Sequence, residues 1–362
     1  MKKVMFVIGV LSNGGAERVI SILAKEMIRK GYEVSIVTVF GDNNNYVTDK
    51  RITLYPINQK YKNKMLRVMG ILRRTRQLIK QQNPDLIISF DTTINIYTIV
   101  SRTFLPNKLI VSERNDPYQY PGSKGIRKVR DFLYRFCDGF VFQTEDAKKY
   151  FSSRIQEKGV VIPNPIISDL PYWNENSSEK TIITASRLNR QKNLPMLINA
   201  YSRIKDSFPE YKLKIFGVGE LREELLNQIE HLGLSDKVTI PGFSNDIHTE
   251  MANSDLFVIP SDYEGISNSM LEALAIGVPV ISTDSPIGGA KMFIKNKENG
   301  ILIKVRDTDG LVQAMNQILS DKKFAKNLSY EARKIRKDLQ SEKIAKIWVE
   351  FAQKIYRGNH EW

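Results

Sequence analysis

The sequence predicts an α/β protein with two doubly wound parallel sheets in tandem. Short apolar runs rich in β-branched residues alternate with longer amphipathic segments, a rhythm typical of βαβ units. The rhythm begins at residues 4–9 and restarts at residues 181–185 after a polar interruption. A chain of 362 residues is also long enough for two domains that each bury a core.

Twelve apolar runs are predicted to be strands, six in each half of the chain. Those in the first half are residues 4–9, 33–39, 85–89, 109–112, 140–142 and 160–162, and those in the second are residues 181–185, 213–216, 238–240, 256–259, 278–282 and 301–303. We expect the helices between them to cover both faces of each sheet. In two such domains, the ligand cleft is expected between the carboxyl ends of the sheets.

The domain boundaries follow from where this rhythm stops. The first domain is predicted over residues 1–165 and the second over residues 180–340. Residues 166–179 are predicted to be the linker, because the stretch 171–179 is polar, begins with proline and breaks both periodicities. Residues 341–362 are predicted to form a carboxyl-terminal helix that packs back toward the first domain, because Trp348 and Phe351 share an apolar face.

The composition excludes several classes of protein. Hydrophobic residues make up 42% and charged residues 26% of the chain, the balance of a folded soluble protein. The only cysteine, Cys137, can neither close an internal disulfide nor build a cysteine-rich zinc site, which favours a reducing cytoplasm. We expect no signal peptide and no membrane span, since the first apolar run is short and no run reaches eighteen residues.

Positive charge is concentrated in the first half of the chain. The net charge is +14, and residues 1–170 hold 28 basic and 15 acidic side chains. The densest stretch, residues 60–80, has no acidic residue and contains Arg73, Arg74 and Arg76. Apolar residues recur among these charges at helical spacing and predict one stripe, formed by Met65, Leu66, Met69, Leu72 and Ile79.

Two interpretations of this predicted helix stay open. Its stripe packs on its own domain and leaves a solvated basic face, or the helix holds the protein on an anionic membrane surface. A second basic stretch favours an anionic partner and comprises Lys124, Arg127, Lys128, Arg130 and Arg135. Nucleic acid is disfavoured, because no groove-reading or RNA-binding motif accompanies the charge.

A glycine-containing loop follows the first predicted strand. Asn13, Gly14 and Gly15 precede a helix expected from about Ala16. Glycines let backbone N–H groups approach an anion, and a helix N-terminus adds partial positive charge. The glycine spacing differs from G-x-G-x-x-G, which disfavours a nicotinamide dinucleotide site. A tight turn that binds no ligand is the alternative.

A second candidate phosphate site opens the second domain. Arg187 and Lys192 follow the strand at 181–185 and precede a helix expected from about Leu194. Two cations beside a helix N-terminus suit a diphosphate. The alternative is that both are exposed charges without a ligand.

Two glutamates lie eight residues apart in the segment 263–274. Glu264 precedes a glycine in a loop at the expected ligand end of the sheet, where a carboxylate can accept hydrogen bonds from sugar hydroxyls. Ser269 and Glu272 match a capping box, so a helix cap is the alternative role of Glu272.

Histidines and a possible metal motif contribute little to the predicted site. His231, His248 and His360 all lie in segments far from these motifs in the sequence. Asp307 and Asp309 form a D-x-D pattern, which we interpret as the acidic first turn of a helix instead of a metal site.

Together with the F-G-V-G-E turn at 216–220, these motifs resemble the retaining nucleotide-sugar glycosyltransferases of the GT-B fold, family 4. The resemblance covers essentially the whole chain and implies two Rossmann-like domains that face a cleft. The segments S-N-G-G-A-E-R at 12–18 and S-F-D-T-T-x-N at 89–95 resemble particularly the branch that extends polyprenyl-diphosphate-linked oligosaccharides, which includes N-acetylgalactosaminyltransferases.

The resemblance implies a metal-independent retaining transfer of GalNAc, GlcNAc or Gal. The donor would be a UDP-sugar, with no further cofactor, and the acceptor a polyprenyl-diphosphate-linked glycan in bacterial cell-surface polysaccharide assembly, such as O-antigen or capsule. The enzyme would work in the cytoplasm, peripherally on the inner face of the membrane. The alternatives are a same-fold transferase with a soluble or protein acceptor and a basic, non-catalytic nucleic-acid-binding protein.

The resemblance also implies roles for individual residues. Arg187 and Lys192 would bind the donor diphosphate, Glu264 the transferred sugar and Glu272 the ribose. The other implied donor residues are Gly15, Gly217, Gly219, Phe243, Ser267 and Asn268. The implied acceptor residues are Asn13, Gly14, Asp91, Thr92 and Arg114, and we add Arg73, Arg74 and Arg76.

Arg114 departs from the pattern of the family. Many relatives carry a histidine after this strand, so a permanent cation replaces a titratable group, which suits an anionic acceptor. In such retaining enzymes the acceptor hydroxyl attacks on the face of the leaving group, and the departing phosphate takes its proton. No histidine base is therefore expected.

Overall fold

The computed structural model describes residues 1–12, 15–41, 44, 47, 49–57, 62–176 and 179–358. The chain folds into two compact units. The first comprises the described residues between 1 and 165 together with 341–358, and the second comprises those between 166 and 340. Each unit contains a wholly parallel sheet, which confirms the predicted α/β class with two doubly wound domains.

The first unit has a seven-stranded sheet in the order β3-β2-β1-β4-β5-β6-β7. Its strands are Lys3–Ile8 (β1), Glu33–Thr38 (β2), Thr53–Pro56 (β3), Leu86–Phe90 (β4), Lys108–Ser112 (β5), Gly139–Phe142 (β6) and Gly159–Val161 (β7). Its helices are Gly15–Arg29 (α1), Lys64–Gln82 (α2), Thr92–Arg102 (α3), Lys124–Leu133 (α4), Glu145–Lys149 (α5), Ser153–Glu157 (α6) and Ser341–Arg357 (α14), with a 3-10 turn at Tyr134–Phe136.

The second unit has a six-stranded sheet in the order β10-β9-β8-β11-β12-β13. Its strands are Thr181–Ala185 (β8), Lys212–Phe216 (β9), Val238–Gly242 (β10), Leu256–Ile259 (β11), Val280–Thr283 (β12) and Ile301–Ile303 (β13). Its helices are Leu194–Ile204 (α7), Arg222–His231 (α8), Ile247–Ala252 (α9), Asn268–Ile276 (α10), Thr308–Ser320 (α11), Lys322–Ala332 (α12) and Ile335–Asp338 (α13), with 3-10 turns at Arg190–Lys192 and Pro286–Gly288.

Strand β3 is an element that the periodicity did not predict. It has four residues, lies at the edge of the first sheet and is exposed at both ends. An edge strand needs no alternating or continuous apolar run, because only one side of it pairs and little of it is buried.

The carboxyl-terminal helix α14 completes the first unit. Trp348 is fully buried, and its ring stacks on that of Phe90 with the centroids 5.5 Å apart. Gln353 donates a hydrogen bond of 2.6 Å to the hydroxyl of Tyr32. A Cβ on Gly139 would lie 2.9 Å from Ile355, so this glycine lets the helix approach β6 closely.

Helix α2 corrects one expectation about the basic stretch. Leu78 and Ile79 are buried, together with Ile71 and Thr75, but Met65, Leu66 and Met69 are exposed on the first two turns. The predicted stripe packs on its own domain only in the second half of the helix. The register of burial shifts along the helix, which spacing alone did not indicate. Lys60 lies outside the described residues.

The order of the strands selects which loops meet. In both sheets the chain reverses its direction of winding at one pair of neighbouring strands, β1 with β4 and β8 with β11. In open α/β sheets, ligands bind outside the carboxyl ends of the strands at this point. The loops after β8 and β11 carry Lys192 and Glu264, and the loop after β4 carries Asp91.

Candidate functional site

The loops after β8 and β11 form a compact polar cluster in the second unit. The ammonium of Lys192 pairs with the carboxylate of Glu264, and the two side chains are only 12% and 14% exposed. Ser261 Oγ donates a hydrogen bond of 3.0 Å to Glu264 Oε1. Gln191 Nε2 donates to the carbonyl oxygen of Tyr263 at 2.8 Å. The structure therefore brings together a cation and a carboxylate that the sequence analysis singled out separately.

A second set of bonds fixes the two loops against each other. The backbone N–H of Asp262 donates to the carbonyl of Gln191 at 2.9 Å, and Asn193 Nδ2 donates to Asp262 Oδ1 at 2.8 Å. Arg306 Nη2 donates to the other carboxylate oxygen of Asp262 at 2.6 Å. Asp262 thus joins three segments, which holds the Lys192 and Glu264 side chains in a defined place.

Arg187 is exposed on the loop that precedes this cluster. Its neighbours are held by the glycine turn after β9, because the N–H groups of Ser186 and Leu188 donate to the carbonyls of Phe216 and Val218 at 3.0 and 2.9 Å. Arg187 thus lies on the loop after β8, the same loop that carries Lys192.

Gly217 and Gly219 have a packing role in this turn. Gly217 has φ +138°, and a Cβ there would lie 1.8 Å from the carbonyl oxygen of Ser186. A Cβ on Gly219 would lie 2.3 Å from the carbonyl oxygen of Leu188. Both positions need glycine so that the turn can close on the loop that carries Arg187.

A further glycine contact supports Glu264 and was missed by the sequence analysis. A Cβ on Gly289 would lie 1.8 Å from the carbonyl oxygen of Gly265. Thr283 Oγ1 also donates a 2.6 Å hydrogen bond to the carbonyl of Ser261. The signal in the sequence is the Gly-Gly pair at 288–289 after a predicted strand, because adjacent glycines mark a close approach of backbones.

Helix α10 corrects the proposed capping box. Ser267, not Ser269, is the N-cap and accepts a hydrogen bond from Met270 N at 3.4 Å. Asn268 is the first residue of the helix, so Glu272 lies in its second turn. The register of the cap differs by two residues, and the alternative role of Glu272 as a box partner of Ser269 is wrong.

Glu272 contacts a histidine that the sequence analysis had placed far from the motifs. The side chain of Glu272 is buried, and His248 Nε2 lies 2.9 Å from its Oε2. His248 is on α9, which packs beside α10, so separation in the sequence hid the proximity. Phe243 lies just after β10 and is exposed. His360 lies outside the described residues.

In the first unit, the predicted acceptor residues Asp91 and Thr92 follow β4, one of the two strands at the switch point of the sheet. The predicted donor residue Gly15 is the first residue of α1, whereas Asn13 and Gly14 lie outside the described residues. Asp91 is the N-cap of α3, where it accepts a hydrogen bond from Thr93 N at 3.0 Å. Its φ of +78° is rare for a residue other than glycine, so the surrounding structure must hold this conformation.

Thr92, next to Asp91, belongs to a buried hydrogen-bond network. Thr92 Oγ1 donates to Glu113 at 3.1 Å, and the hydroxyl of Tyr134 also donates to this carboxylate. Asn95 Nδ2 donates to the Tyr134 hydroxyl at 2.9 Å, and Arg130 Nη1 lies 4.0 Å from Glu113 Oε2. Burial raises the pKa of Glu113 above its ordinary value, although Arg130 and the hydrogen bonds oppose this shift.

Arg114 follows Glu113 and has unsatisfied donors. Its Nη1 donates to Asn164 Oδ1 at 2.7 Å, and its guanidinium carbon lies 4.5 Å from the ring centroid of Phe90. Its Nε and Nη2 are buried and have no hydrogen-bond partner among the described residues. Burial lowers the pKa of Arg114 to about 9. A desolvated cation with two nitrogens whose hydrogen-bond donors are unmet is suited to bind an anion.

The arginines of α2 are not equivalent. Arg73 and Arg74 are exposed, and Arg74 donates to the side chain of Gln77 at 2.8 Å. Arg76 Nη1 donates to the carbonyls of Ser101 and Thr103 at 2.9 and 2.7 Å. Arg76 therefore anchors the turn after α3, a role that the sequence did not indicate.

The D-x-D pattern caps a helix. Asp307 is the N-cap of α11 and accepts a hydrogen bond from Gly310 N at 2.8 Å, while Asp309 pairs with Arg203. In the part of the chain that the structure describes, no three His, Cys, Asp or Glu side chains are grouped as metal ligands. No helix there has both the length and the apolarity needed to cross a membrane.

Two family models match consecutive halves of the chain. Residues 13–170 match the model described as Glycosyltransferase Family 4, and residues 169–335 match the one described as Glycosyl transferases group 1. The first match includes Asp91 and Arg114, and the second includes Lys192 and Glu264.

Curated relatives align over nearly the full length. The chain is 26% identical over 98% of its length, and 99% of the relative's, to GalNAc-alpha-(1->4)-GalNAc-alpha-(1->3)-diNAcBac-PP-undecaprenol alpha-1,4-N-acetyl-D-galactosaminyltransferase of Campylobacter jejuni. It is 28% identical, over 96% of its length and 98% of the relative's, to N-acetylgalactosamine-N,N'-diacetylbacillosaminyl-diphospho-undecaprenol 4-alpha-N-acetylgalactosaminyltransferase of the same organism. The structure of Anabaena Alr3699/HepE in complex with UDP and glucose has a TM-score of 0.85 and 19% identity, covering 98% of this chain and all of that one.

Proposed function

Since the chain is a glycosyltransferase of the GT-B fold, with a family 4-like first half and a group 1 second half, we propose that it transfers a sugar from a UDP-sugar to a polyprenyl-diphosphate-linked glycan. We further propose that the transfer retains the anomeric configuration and needs no metal ion. The sugar is an N-acetylhexosamine or a hexose, with GalNAc, GlcNAc and Gal as candidates.

The Lys192–Glu264 cluster is the observation that carries the proposal. Lys192 and Arg187 supply two cations at the carboxyl edge of the second sheet, where α7 also begins. We assign both to the donor diphosphate, so that positive charge faces the phosphate oxygens on which negative charge develops. Glu264 then binds hydroxyls of the transferred sugar, and Glu272 binds those of the ribose.

The reaction consists of one exchange at the anomeric carbon. A hydroxyl oxygen of the acceptor forms a bond to this carbon while the bond to the β-phosphate oxygen breaks. The hydroxyl proton passes to that departing phosphate oxygen, and UDP leaves with the bonding electrons. The role of the chain is to position both substrates and to stabilise the leaving group through Arg187 and Lys192.

Arg114 and the charge of the first unit support an anionic acceptor. The unmet N–H groups of Arg114 suit a phosphate oxygen, and residues 1–170 contain 28 basic against 15 acidic side chains. The two Campylobacter relatives carry names that specify undecaprenol-diphosphate-linked acceptors. A lipid-linked acceptor places the reaction at a membrane, and we propose its cytoplasmic face.

A panel of nucleotide sugars offered with two acceptors tests the proposal. Release of nucleoside diphosphate is measured with a synthetic lipid-diphosphate oligosaccharide and with the same oligosaccharide free of lipid. We expect release with a UDP-sugar and the lipid-diphosphate acceptor, and UDP alone should raise the melting temperature. Equal release with the free oligosaccharide would contradict the acceptor assignment. Salt-sensitive binding of duplex DNA with no effect of UDP would contradict the activity as a whole.

A further inference from the structure

Helix α4 buries an arginine and exposes an apolar side, the opposite of an ordinary surface helix. Its fully buried residue is Arg130, whereas three of its four large apolar residues are exposed and the fourth, Leu133, is partly buried against the core. The exposed apolar residues of α4 and the 3-10 turn that follows it are Ile126, Val129, Phe132 and Phe136. Spacings of three and four residues place them on one side of the helix.

The buried side of α4 is committed to polar contacts, so the helix cannot turn its apolar side inward. Arg130 Nη1 donates to the carbonyl of Tyr120 at 2.9 Å, and its Nη2 donates to that of Pro117 at 3.1 Å. One turn earlier, Arg127 Nη1 donates to the carbonyl of Pro121 at 2.7 Å. These bonds replace water at buried donors and fix the rotation of the helix.

The apolar surface continues beyond α4. Phe104 is 97% exposed on the turn after α3, and Arg102, the last residue of α3, donates to the carbonyl of Phe136 at 3.0 Å. On its other side, this turn is held by Arg76 of α2. Met65 and Met69 lie on the helical stripe that includes Arg76, eleven and seven residues away, and both are exposed.

Basic residues surround these apolar side chains. Lys124, Lys128 and Arg135 of the same helix and its 3-10 turn are exposed, and the guanidinium of Arg135 lies 5.8 Å from the ring centroid of Phe132. Asp131 is the one acidic residue of α4 and is engaged by Arg130 and by the Tyr150 hydroxyl, at 2.9 and 3.0 Å. The exposed side therefore presents large apolar groups and cations.

We propose that this surface, formed by α4 with its 3-10 turn, Phe104 and the first two turns of α2, docks on an anionic lipid bilayer. The apolar side chains enter the boundary between headgroups and acyl chains, while the lysines and arginines extend to lipid phosphates. Lysine is depleted in protein–protein interfaces, whereas lysines interspersed with apolar residues suit an anionic membrane interface. The inference does not depend on the transferase activity proposed above.

Sedimentation of the full chain with vesicles tests the surface. The vesicles contain phosphatidylcholine alone or phosphatidylcholine with phosphatidylglycerol, and no glycan. We expect the wild type to bind the anionic vesicles and the double variant Phe132→Ser, Phe136→Ser to bind them about tenfold or more weakly. Tyr330→Ser removes an equally exposed aromatic ring from the second unit and should change nothing. Equal vesicle binding by the double variant and the wild type would overturn the proposal.

A gain-of-signal variant covers the case in which the serines disturb α4. The tryptophan added by Phe132→Trp should raise the fluorescence above that of the wild type, and brominated phosphatidylglycerol should quench this added signal. The signal added by the matched variant Tyr330→Trp should not be quenched. Equal quenching of both variants, or of neither, would overturn the proposal. So would a wild-type dimer that Phe132→Ser, Phe136→Ser converts to a monomer, because a second copy of the chain would then cover the surface.

Discussion

The Lys192 ammonium is paired with the Glu264 carboxylate, 72 residues away in the chain. The contact arises because β8 and β11 are neighbours in the sheet, so that the loops after them leave the same edge side by side. Each charge fixes the position of the other in a largely buried setting, where an unpaired charge would be costly. A donor diphosphate and a sugar hydroxyl would bind to groups that are already in place.

Replacing Lys192 tests the diphosphate assignment. We expect Lys192→Ala to lower kcat by about 100- to 1000-fold, because a preorganised charge on the leaving group is lost. Steady-state release of UDP measures this effect. Lys205→Ala, at the other end of α7, is the matched control and should retain activity. Near-normal turnover of Lys192→Ala with an unchanged melting temperature would remove the phosphate assignment.

Glu264 is expected to act on the sugar, and its charge is the property that matters. Glu264→Gln keeps the shape of the side chain but weakens its hydrogen bonds to hydroxyls and its pairing with Lys192. We expect kcat/KM to fall about tenfold or more, with UDP binding retained. Isothermal titration with UDP and initial rates with the full donor separate the two effects. If Glu264→Gln instead weakens UDP binding and leaves kcat unchanged, Glu264 contacts the nucleotide and not the sugar.

His248 is expected to position Glu272 without touching the reacting atoms. Removal of their hydrogen bond by His248→Ala should raise KM for the donor about threefold to tenfold while kcat stays the same. Binding of UDP should weaken by the same factor, whereas a purely structural role would lower the melting temperature and leave KM unchanged. His231→Ala, at the end of α8, is the control.

The buried carboxyl of Glu113 predicts a pH dependence of stability. Its pKa is raised in the folded state from an ordinary value of 4.5, so folding favours the protonated form. The stabilising contribution of Glu113 to the free energy of unfolding is complete below pH 4.5 and is lost as pH rises through the pKa of the folded state. Glu113→Gln resembles the protonated form, so the advantage of the wild type over this variant should fall as pH rises. Denaturant unfolding at several pH values measures it, and the exposed Glu145→Gln should parallel the wild type.

The sequence predicted the fold because long βαβ rhythms are dictated by burial on both faces of a parallel sheet. It also singled out Lys192 and Glu264, because each lies in a loop that follows a buried strand, at the expected ligand end of the sheet. Their ion pair was not predicted, because it depends on the strand order. In the sheet, β8 lies between β9 and β11, so the loop after β11 comes beside the loop after β8. The same dependence on topology hid the contact between His248 and Glu272.

Other failures came from local register. Ser267 and Ser269 are both acceptable caps in the sequence, and only the packing of α10 selects the first. The orientation of α4 was not predicted, because Arg130 is held inside by the carbonyl of Tyr120 and lies 4.0 Å from Glu113, contacts that depend on the tertiary fold. In both cases tertiary contacts that the local sequence does not show decide the outcome.

Arg114 provides the test of the acceptor. Its guanidinium lies over the Phe90 ring and keeps two buried nitrogens, Nε and Nη2, without a hydrogen-bond partner among the described residues. Such donors carry a desolvation cost that an acceptor phosphate would offset, so Arg114→Gln should raise KM for the lipid-diphosphate acceptor about tenfold or more and leave KM for the donor unchanged. Initial rates with one substrate varied at a time distinguish these constants. Arg154→Gln, an exposed arginine of α6, is the control and should match the wild type. If Arg114→Gln instead shifts only the melting temperature, the arginine serves the aromatic stack with Trp348, and the acceptor phosphate must bind elsewhere in the first unit.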